Sequence, residues 1–375
     1  MPPVSLLIKP ASSACNMRCK YCFYHDVAEN RAVPNFGMMS RETLEILVRR
    51  AFDEAEGQIN FAFQGGEPTL AGLDFYRDFV VLVKQYDRKR AKLSFAIQTN
   101  GTMLNAEWAA FLRENQFLVG LSMDGYKDLH DANRVDARGD GTFRTVANAA
   151  ALLSREKVDF NILCVVNRLT ARHVDKLYSF FKKSGHRWLQ FIPCLDALGT
   201  ARGESQHGLT AALYGEFLKS LFDRWYADFM ANDGISIRHF DNWIPMILGH
   251  PAESCGMNGV CVSYFVIEAD GGTYPCDFYV LDEWRLGNVR EDSFADMRGS
   301  AAAARFIAES EPVHTKCQSC EFFCLCRGGC KRDRARAADG SVGLNTFCEA
   351  HQAFFRYALP RMERIAAILR QSGRA

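Results

Sequence analysis

Cys15, Cys19 and Cys22 place three thiols in the pattern C-x3-C-x2-C. Thiols at this density are ligands for zinc or for an iron–sulfur cluster. A structural zinc site is normally closed by four ligands. A cubane cluster held by three thiolates keeps one iron open, and an open iron can bind and activate a small molecule. A second concentration lies far along the chain: of fourteen cysteines, nine fall between 255 and 348. Cys261 and Cys276 frame C-x9-G-x4-C around Gly271, and Cys317, Cys320, Cys326 and Cys330 form C-x2-C-x5-C-x3-C. With Cys255 upstream and Cys348 downstream these make eight, enough to close two four-thiolate clusters, with a pair of zinc ribbons as the alternative. In a reducing compartment, ligation explains such a set better than disulfides do. Cys324 interrupts the pattern, as a bystander or as a competitor of Cys326. Asp277 directly follows Cys276, so a metal site would fix its carboxylate; a reactive base and a solvated carboxylate are both open. Cys164 lies within a strand pattern and reads as a small buried hydrophobe; Cys194 ends a strand, and its exposure is open.

These groups need a frame. Six apolar or β-branched runs, 4–9, 59–63, 93–98, 117–124, 158–166 and 188–194, alternate with amphipathic stretches near 40–56, 73–88, 105–115, 142–156 and 170–184. That rhythm predicts βα units and a parallel sheet. Six units are too few for an eight-stranded barrel. The expectation is an α/β fold, a partial (β/α)6 TIM-like barrel, with a flat doubly wound sheet as the other solution. The polar motifs each follow a strand: the cysteines the first, Gln64-Gly65-Gly66-Glu67-Pro68 the second, Thr99-Asn100-Gly101 the third, Ser122-Met123-Asp124-Gly125 the fourth. Carboxyl ends of parallel strands carry active sites, so these motifs are expected on one rim. A helix over 209–231 bridges onward. After 250 the rhythm is lost, which predicts a small cysteine-rich domain with little apolar core, stapled by its clusters. The expected division is 1–235 and 236–375, and the Ala/Arg-rich stretch 300–305 is expected to be a surface helix.

Composition sets limits. With 48% hydrophobic and 24% charged residues the chain can bury a core. A net charge of +1, from 45 basic and 44 acidic residues, gives no electrostatic case for nucleic acid or an anionic membrane. No apolar run approaches a transmembrane span, and the N-terminus lacks a signal peptide's basic start and long apolar run. A soluble, cytoplasmic protein is expected.

The cysteine triad on a loop after the first strand, with the Gly-Gly-Glu turn, resembles the radical S-adenosylmethionine superfamily. The resemblance implies a [4Fe–4S] cluster on Cys15, Cys19 and Cys22 whose open iron takes the amino and carboxylate groups of S-adenosylmethionine. It implies Tyr21 beside the adenine, Gly65, Gly66 and Glu67 at the methionyl amino group, and Ser122 at the ribose. Arg134 would meet the carboxylate (alone, it reads as a solvated surface residue), and Leu195 would pack on the adenosyl group. The downstream cysteines resemble the SPASM extension. By that resemblance Cys255, Cys261, Cys276 and Cys330 hold one [4Fe–4S] cluster, and Cys317, Cys320, Cys326 and Cys348 another, three clusters in all. MPPVSLLIKPASSACNMRCKYCFYH, FAFQGGEPTLAGL and YPCDFYVLDEWRLGN resemble the anaerobic sulfatase-maturating enzymes. That resemblance implies oxidation of a Cys or Ser in a sulfatase polypeptide to Cα-formylglycine: a 5′-deoxyadenosyl radical removes a Cβ hydrogen, and Asp277 takes the thiol or hydroxyl proton. It also implies a flavodoxin- or ferredoxin-type electron donor. Two other readings stay open. One is a SPASM enzyme that epimerises or crosslinks a ribosomal peptide, though no room for a leader-binding module is seen before residue 5. The other is a non-catalytic iron–sulfur protein.

Overall fold

Burial alternates along Gln58–Phe63, where Ile59, Phe61 and Phe63 face inward, as a strand with one face on a core requires. The computed structural model describes residues 3–262, 264–336 and 342–372; residues 1 and 375, the outer limits of the expected domains, lie outside them. In chain order the strands are β1 (Val4–Ile8), β2 (Gln58–Phe63), β3 (Lys92–Thr99), β4 (Phe117–Ser122), β5 (Phe160–Val166), β6 (Trp188–Pro193), β7 (Ser236–Ile237), β8 (Phe265–Ile267), β9 (Gly272–Tyr274), β10 (Gly287–Asn288), β11 (Arg334–Arg336) and β12 (Val342–Asn345). Helices follow the early strands at Arg41–Glu54, Leu73–Tyr86, Ala106–Glu114, Phe143–Arg155 and Val174–Lys183, within a few residues of the stretches the periodicity predicts.

Two compact units interleave along the chain: Met1–Met123 with His130–Asn161 and Ser263–Phe306, and Asp124–Leu129 with Ile162–Val262 and Ile307–Ala375. In the first unit β1 to β4 run parallel, in the register Leu6–Phe61–Phe95–Phe117. The aromatic members of that row form a ladder, and Phe79, from the helix 73–86, covers it. Its ring lies 5.1 Å from Phe61, 5.0 Å from Phe63 and 5.4 Å from Phe95. The helices start on side-chain caps: Ser40 Oγ accepts from Thr43 N–H and Asn105 Oδ1 from Trp108 N–H.

The segment after residue 263 departs from expectation. β8 pairs parallel with β1, and β9 and β10 continue the edge antiparallel. Phe265, Val266, Ile267, Trp284, Phe294 and Phe306 are all buried, so this stretch has an apolar core of its own. Three-residue strands carry no readable period, which is why the rhythm vanished there. Ala301–Ala308 is a helix as expected, but not wholly a surface one: Ala303 and Phe306 are buried. Helix Phe23–Glu29, directly after the third cysteine, is too short for a periodic stripe and was not foreseen.

In the second unit β5, β6 and β7 are parallel. The expected bridging helix is Ala211–Met230. It packs against an unforeseen helix, Cys348–Gln371, whose buried Ala350, Phe354, Phe355, Ala358, Met362 and Ile365 form one stripe. Gly215 permits the approach, since a Cβ there would stand 3.3 Å from Ala350 Cα. Among the described residues no helix is long and apolar enough to cross a membrane.

Phe79→Ala should lower unfolding free energy by about 3–5 kcal/mol, because the ladder cannot close over the lost ring. Denaturant titration followed by circular dichroism measures this; an unchanged midpoint would contradict the packing described.

Candidate active site

The cysteine loop leaves the end of β1 and is held from two sides. Gly66 N–H donates to Ser12 O and Glu67 N–H to Ala14 O, which binds the loop to the glycine turn after β2. On the other side Arg18 N–H donates to Val135 O and Lys20 N–H to Asn133 O. That second pairing carries Arg134 to Tyr21, with the guanidinium 5.6 Å from the ring centre. Arg134 is only 7% exposed, so the solvated surface reading is overturned. Ser122 is buried at the end of β4. Cys15, Cys19 and Cys22 are half-buried. Cys15 Sγ accepts from Met17 N–H at 3.4 Å, and burial pushes its thiol up to about 11.

The glycines in the turn are required by contact. Gly65 adopts φ +124°, and a Cβ on Gly66 would stand 2.0 Å from Ala14 O. Glu67 is fully buried, and both its oxygens are engaged. Oε1 accepts from Thr69 N–H, Thr69 Oγ1 and Thr99 Oγ1, and Oε2 from Asn100 N–H at 2.7 Å. Burial raises its pKa, against the pull of those four donors. The carboxyl therefore ties the turn to the end of β3.

Asp277 begins a short 3-10 turn after β9 and is 6% exposed. Its Oδ2 accepts from Tyr24 Oη at 2.6 Å and from Gln64 Nε2 at 3.3 Å, while the buried Oδ1 has no hydrogen-bond partner among the described residues. Burial raises the carboxyl to about 6; Lys9 and Tyr24 pull it down, and Glu268 pushes it up. Lys9 Nζ in turn donates to Glu268 Oε1 at 2.5 Å, and Arg31 Nη1 donates to the same oxygen at 2.6 Å. Sequence reasoning missed Tyr24, Gln64, Lys9, Arg31 and Glu268. Tyr24 and Gln64 flank the two motifs and were within reach; nothing local marks Lys9 or Glu268, which meet only in the fold.

The second unit holds the later cysteines other than Cys276. Cys317, Cys320, Cys326 and Cys348 line one cavity, together with Phe322, Phe323, Phe355, His351 and Gln352. Cys326 and Cys348 each sense both Cys317 and Cys320 electrostatically, which sets the four sulfurs around a common space. Cys324 is exposed and does not line that cavity. Burial and the neighbouring Cys261 push the Cys255 thiol up, and a Cβ on Gly256 would meet Cys330 Cβ at 3.7 Å. Cys276 belongs to the first unit. Leu195 follows β6 and is half-buried. Cys164 and Cys194 are buried, and burial pushes the Cys194 thiol up to about 12, which leaves it inert. Among the described residues no three or more His, Cys, Asp or Glu converge on a single metal ion; the four thiols ring a space instead.

The radical SAM superfamily model matches residues 10–181, and the SPASM iron–sulfur cluster-binding domain model matches residues 259–321. The fold is thus the barrel-like parallel α/β sheet of radical S-adenosylmethionine enzymes with a C-terminal SPASM domain. A cysteine-type anaerobic sulfatase-maturating enzyme from Clostridium perfringens is 49% identical over 366 residues, 98% of this chain and 99% of that one. A serine-type enzyme from Bacteroides thetaiotaomicron is 31% identical, over 96% of this chain and 91% of that one. A solved structure described as native anSMEcpe with bound AdoMet and Cp18Cys peptide matches with a TM-score of 0.94 at 48% identity, covering 98% of this chain and 100% of that one. The chain belongs to the anaerobic sulfatase-maturating enzymes.

Gly66→Ala should push residues 11–15 off the turn. Hydrogen exchange would then rise at the amides of this loop, while those of β3 stay protected; unchanged exchange in the loop would contradict the contact.

Proposed function

We propose that this chain oxidises a cysteine in a sulfatase polypeptide to Cα-formylglycine, and that Asp277 is the base. The observation that carries the assignment is the asymmetry of Asp277: one oxygen held by Tyr24 and Gln64, the other buried without a partner among the described residues. A target thiol is the hydrogen-bond donor that Oδ1 lacks. With its pKa raised to about 6, the carboxylate is ionised near neutral pH yet more basic than an ordinary aspartate, which suits a general base.

Cys15, Cys19 and Cys22 hold the first [4Fe–4S] cluster, which, when reduced and bound to S-adenosylmethionine, supplies a 5′-deoxyadenosyl radical. The packing of this loop on the glycine turn supports the reading, because Gly65 and Gly66 let the loop backbone at Ser12 and Ala14 approach closely and hold the thiols in place. The main chain of Gly65, Gly66 and Glu67 receives the methionyl ammonium, Arg134 pairs with the carboxylate, Ser122 binds the ribose, and Tyr21 and Leu195 border the adenosyl group. Cys255, Cys261, Cys276 and Cys330 hold a second cluster, and Cys317, Cys320, Cys326 and Cys348 a third. The four-thiol cavity supports the latter set.

The target Cβ would lose a hydrogen atom to the 5′-deoxyadenosyl radical, which becomes 5′-deoxyadenosine; Asp277 takes the thiol proton, and the remaining electron would go to an auxiliary cluster, leaving a thioaldehyde. Water then replaces sulfur, releasing hydrogen sulfide and leaving the aldehyde. A flavodoxin- or ferredoxin-type protein delivers the reducing electron, in the cytoplasm. Cysteine rather than serine is the preferred target, on the observation that cysteine-type identity exceeds serine-type identity, 49% against 31%.

Asp277→Asn should lower formylglycine formation on a sulfatase-derived cysteine peptide by about 10²–10⁴-fold with iron and sulfide unchanged. Mass spectrometry of the peptide reads the product, and full activity in the variant would remove the assigned role. Paired cysteine and serine peptides should favour cysteine in kcat/KM; a serine preference would overturn that part of the proposal.

A further inference from the structure

Helix Cys348–Gln371 starts on one of the four thiols around the cavity, and its first turn carries two side chains to two others. His351 Nδ1 lies 3.7 Å from Cys326 Sγ. Gln352 Nε2 donates to Cys320 Sγ at 3.6 Å. Both side chains border the cavity itself. The histidine ring is oriented by packing independent of the sulfur: it stands 6.3 Å from the Trp243 ring and 6.1 Å from the Phe355 ring. Phe355 is in turn braced by Phe322 at 5.8 Å. Nothing in the target chemistry described above uses either residue.

A cluster with four thiolate ligands gains one negative charge on reduction, and much of it falls on sulfur. Hydrogen bonds to sulfur stabilise that more negative state, whereas an apolar wall opposes it. Here the wall is aromatic, from Phe322, Phe323 and Phe355, so the Gln352 amide, and His351 in the tautomer that carries its proton on Nδ1, supply the opposing stabilisation. We propose that His351 and Gln352 are positioning residues that donate N–H···S bonds to the cluster on Cys317, Cys320, Cys326 and Cys348, raising its reduction potential so that it accepts the electron released in target oxidation. The inference rests on the ligand set proposed above. In the step it serves, one electron leaves the substrate radical after Asp277 takes the proton, and the cluster passes from its oxidised to its one-electron-reduced state.

The test uses the full chain with Cys15, Cys19 and Cys22 replaced by alanine, so that only the auxiliary clusters contribute. Iron and sulfide are counted, and a redox titration is followed by electron paramagnetic resonance in this background and with His351→Leu, Gln352→Leu or His351→Asn added. The expected result is an unchanged iron count and, for one of the two clusters only, a several-fold fall in reduced fraction at fixed potential in each leucine variant. His351→Asn, whose amide nitrogen takes the place of Nδ1, should restore the original value. Should His351→Leu fail to hold its iron, Gln352→Leu reads the same effect at Cys320. Leucine variants that titrate like their background would overturn the inference and leave the ligand set standing. A background chain that binds no iron and sulfide would instead overturn the ligand set.

Discussion

Glu268 is a carboxylate with no exposure to water, and such a group persists in charged form only with partners. Burial alone would push its pKa up; Lys9 and Arg31, both on Oε1, more than offset this and hold it below the ordinary value. The three residues come from the end of β1, the stretch after helix 23–29, and the end of β8. Lys9 N–H also donates to Ile267 O at 2.8 Å. One buried ion cluster thus joins the cysteine-bearing N-terminus to a segment more than two hundred residues away. Asp277 is delivered to Tyr24 and Gln64 because β8 and β9 are fixed there. Removing either cation would leave a buried charge short of a partner, a loss of about 3–5 kcal/mol in comparable cases.

The same cluster shapes the chemistry. Lys9 lies 5.4 Å from the centre of the Tyr24 ring and pulls the Asp277 carboxyl down, while Glu268 pushes it up. Burial exceeds both, and the outcome is a carboxyl raised to about 6 whose orientation is set by two donors on one oxygen. A separate clamp serves the cysteine loop: Glu67, saturated by four donors, fixes the glycine turn, and the turn fixes the loop through Ser12 O and Ala14 O. Two buried carboxylates, Glu268 and Glu67, therefore do structural work.

Much of this was legible in the chain. The six strands and their helices follow from period and length, and the cysteine spacing set the N-terminal triad apart from the later cysteines. Asp277 was marked by its neighbour Cys276, and its partners Tyr24 and Gln64 flank recognisable motifs. What stayed hidden has physical reasons. β8, β9 and β10 are two or three residues long and owe their existence to pairing at the edge of β1 rather than to propensity. Helix 348–371 has a clear apolar stripe, but the cysteines and glycines before it read as turn-rich sequence. Arg134 reads as a surface residue until its neighbours Asn133 and Val135 pair with the cysteine loop and turn it inward. Glu67 carries a motif position, yet its carboxyl faces the protein; only the hydrogen bonds tell main-chain from side-chain duty.

The account turns on what meets the free oxygen of Asp277. An anaerobic crystal structure of the reconstituted enzyme with S-adenosylmethionine and a sulfatase-derived cysteine peptide tests this directly. The target sulfur should lie within hydrogen-bond reach of Asp277 Oδ1, with Oδ2 still held by Tyr24 and the target Cβ facing the adenosyl group. A peptide seated with its thiol away from Asp277, or with Oδ1 bonded to another protein group, would contradict the account.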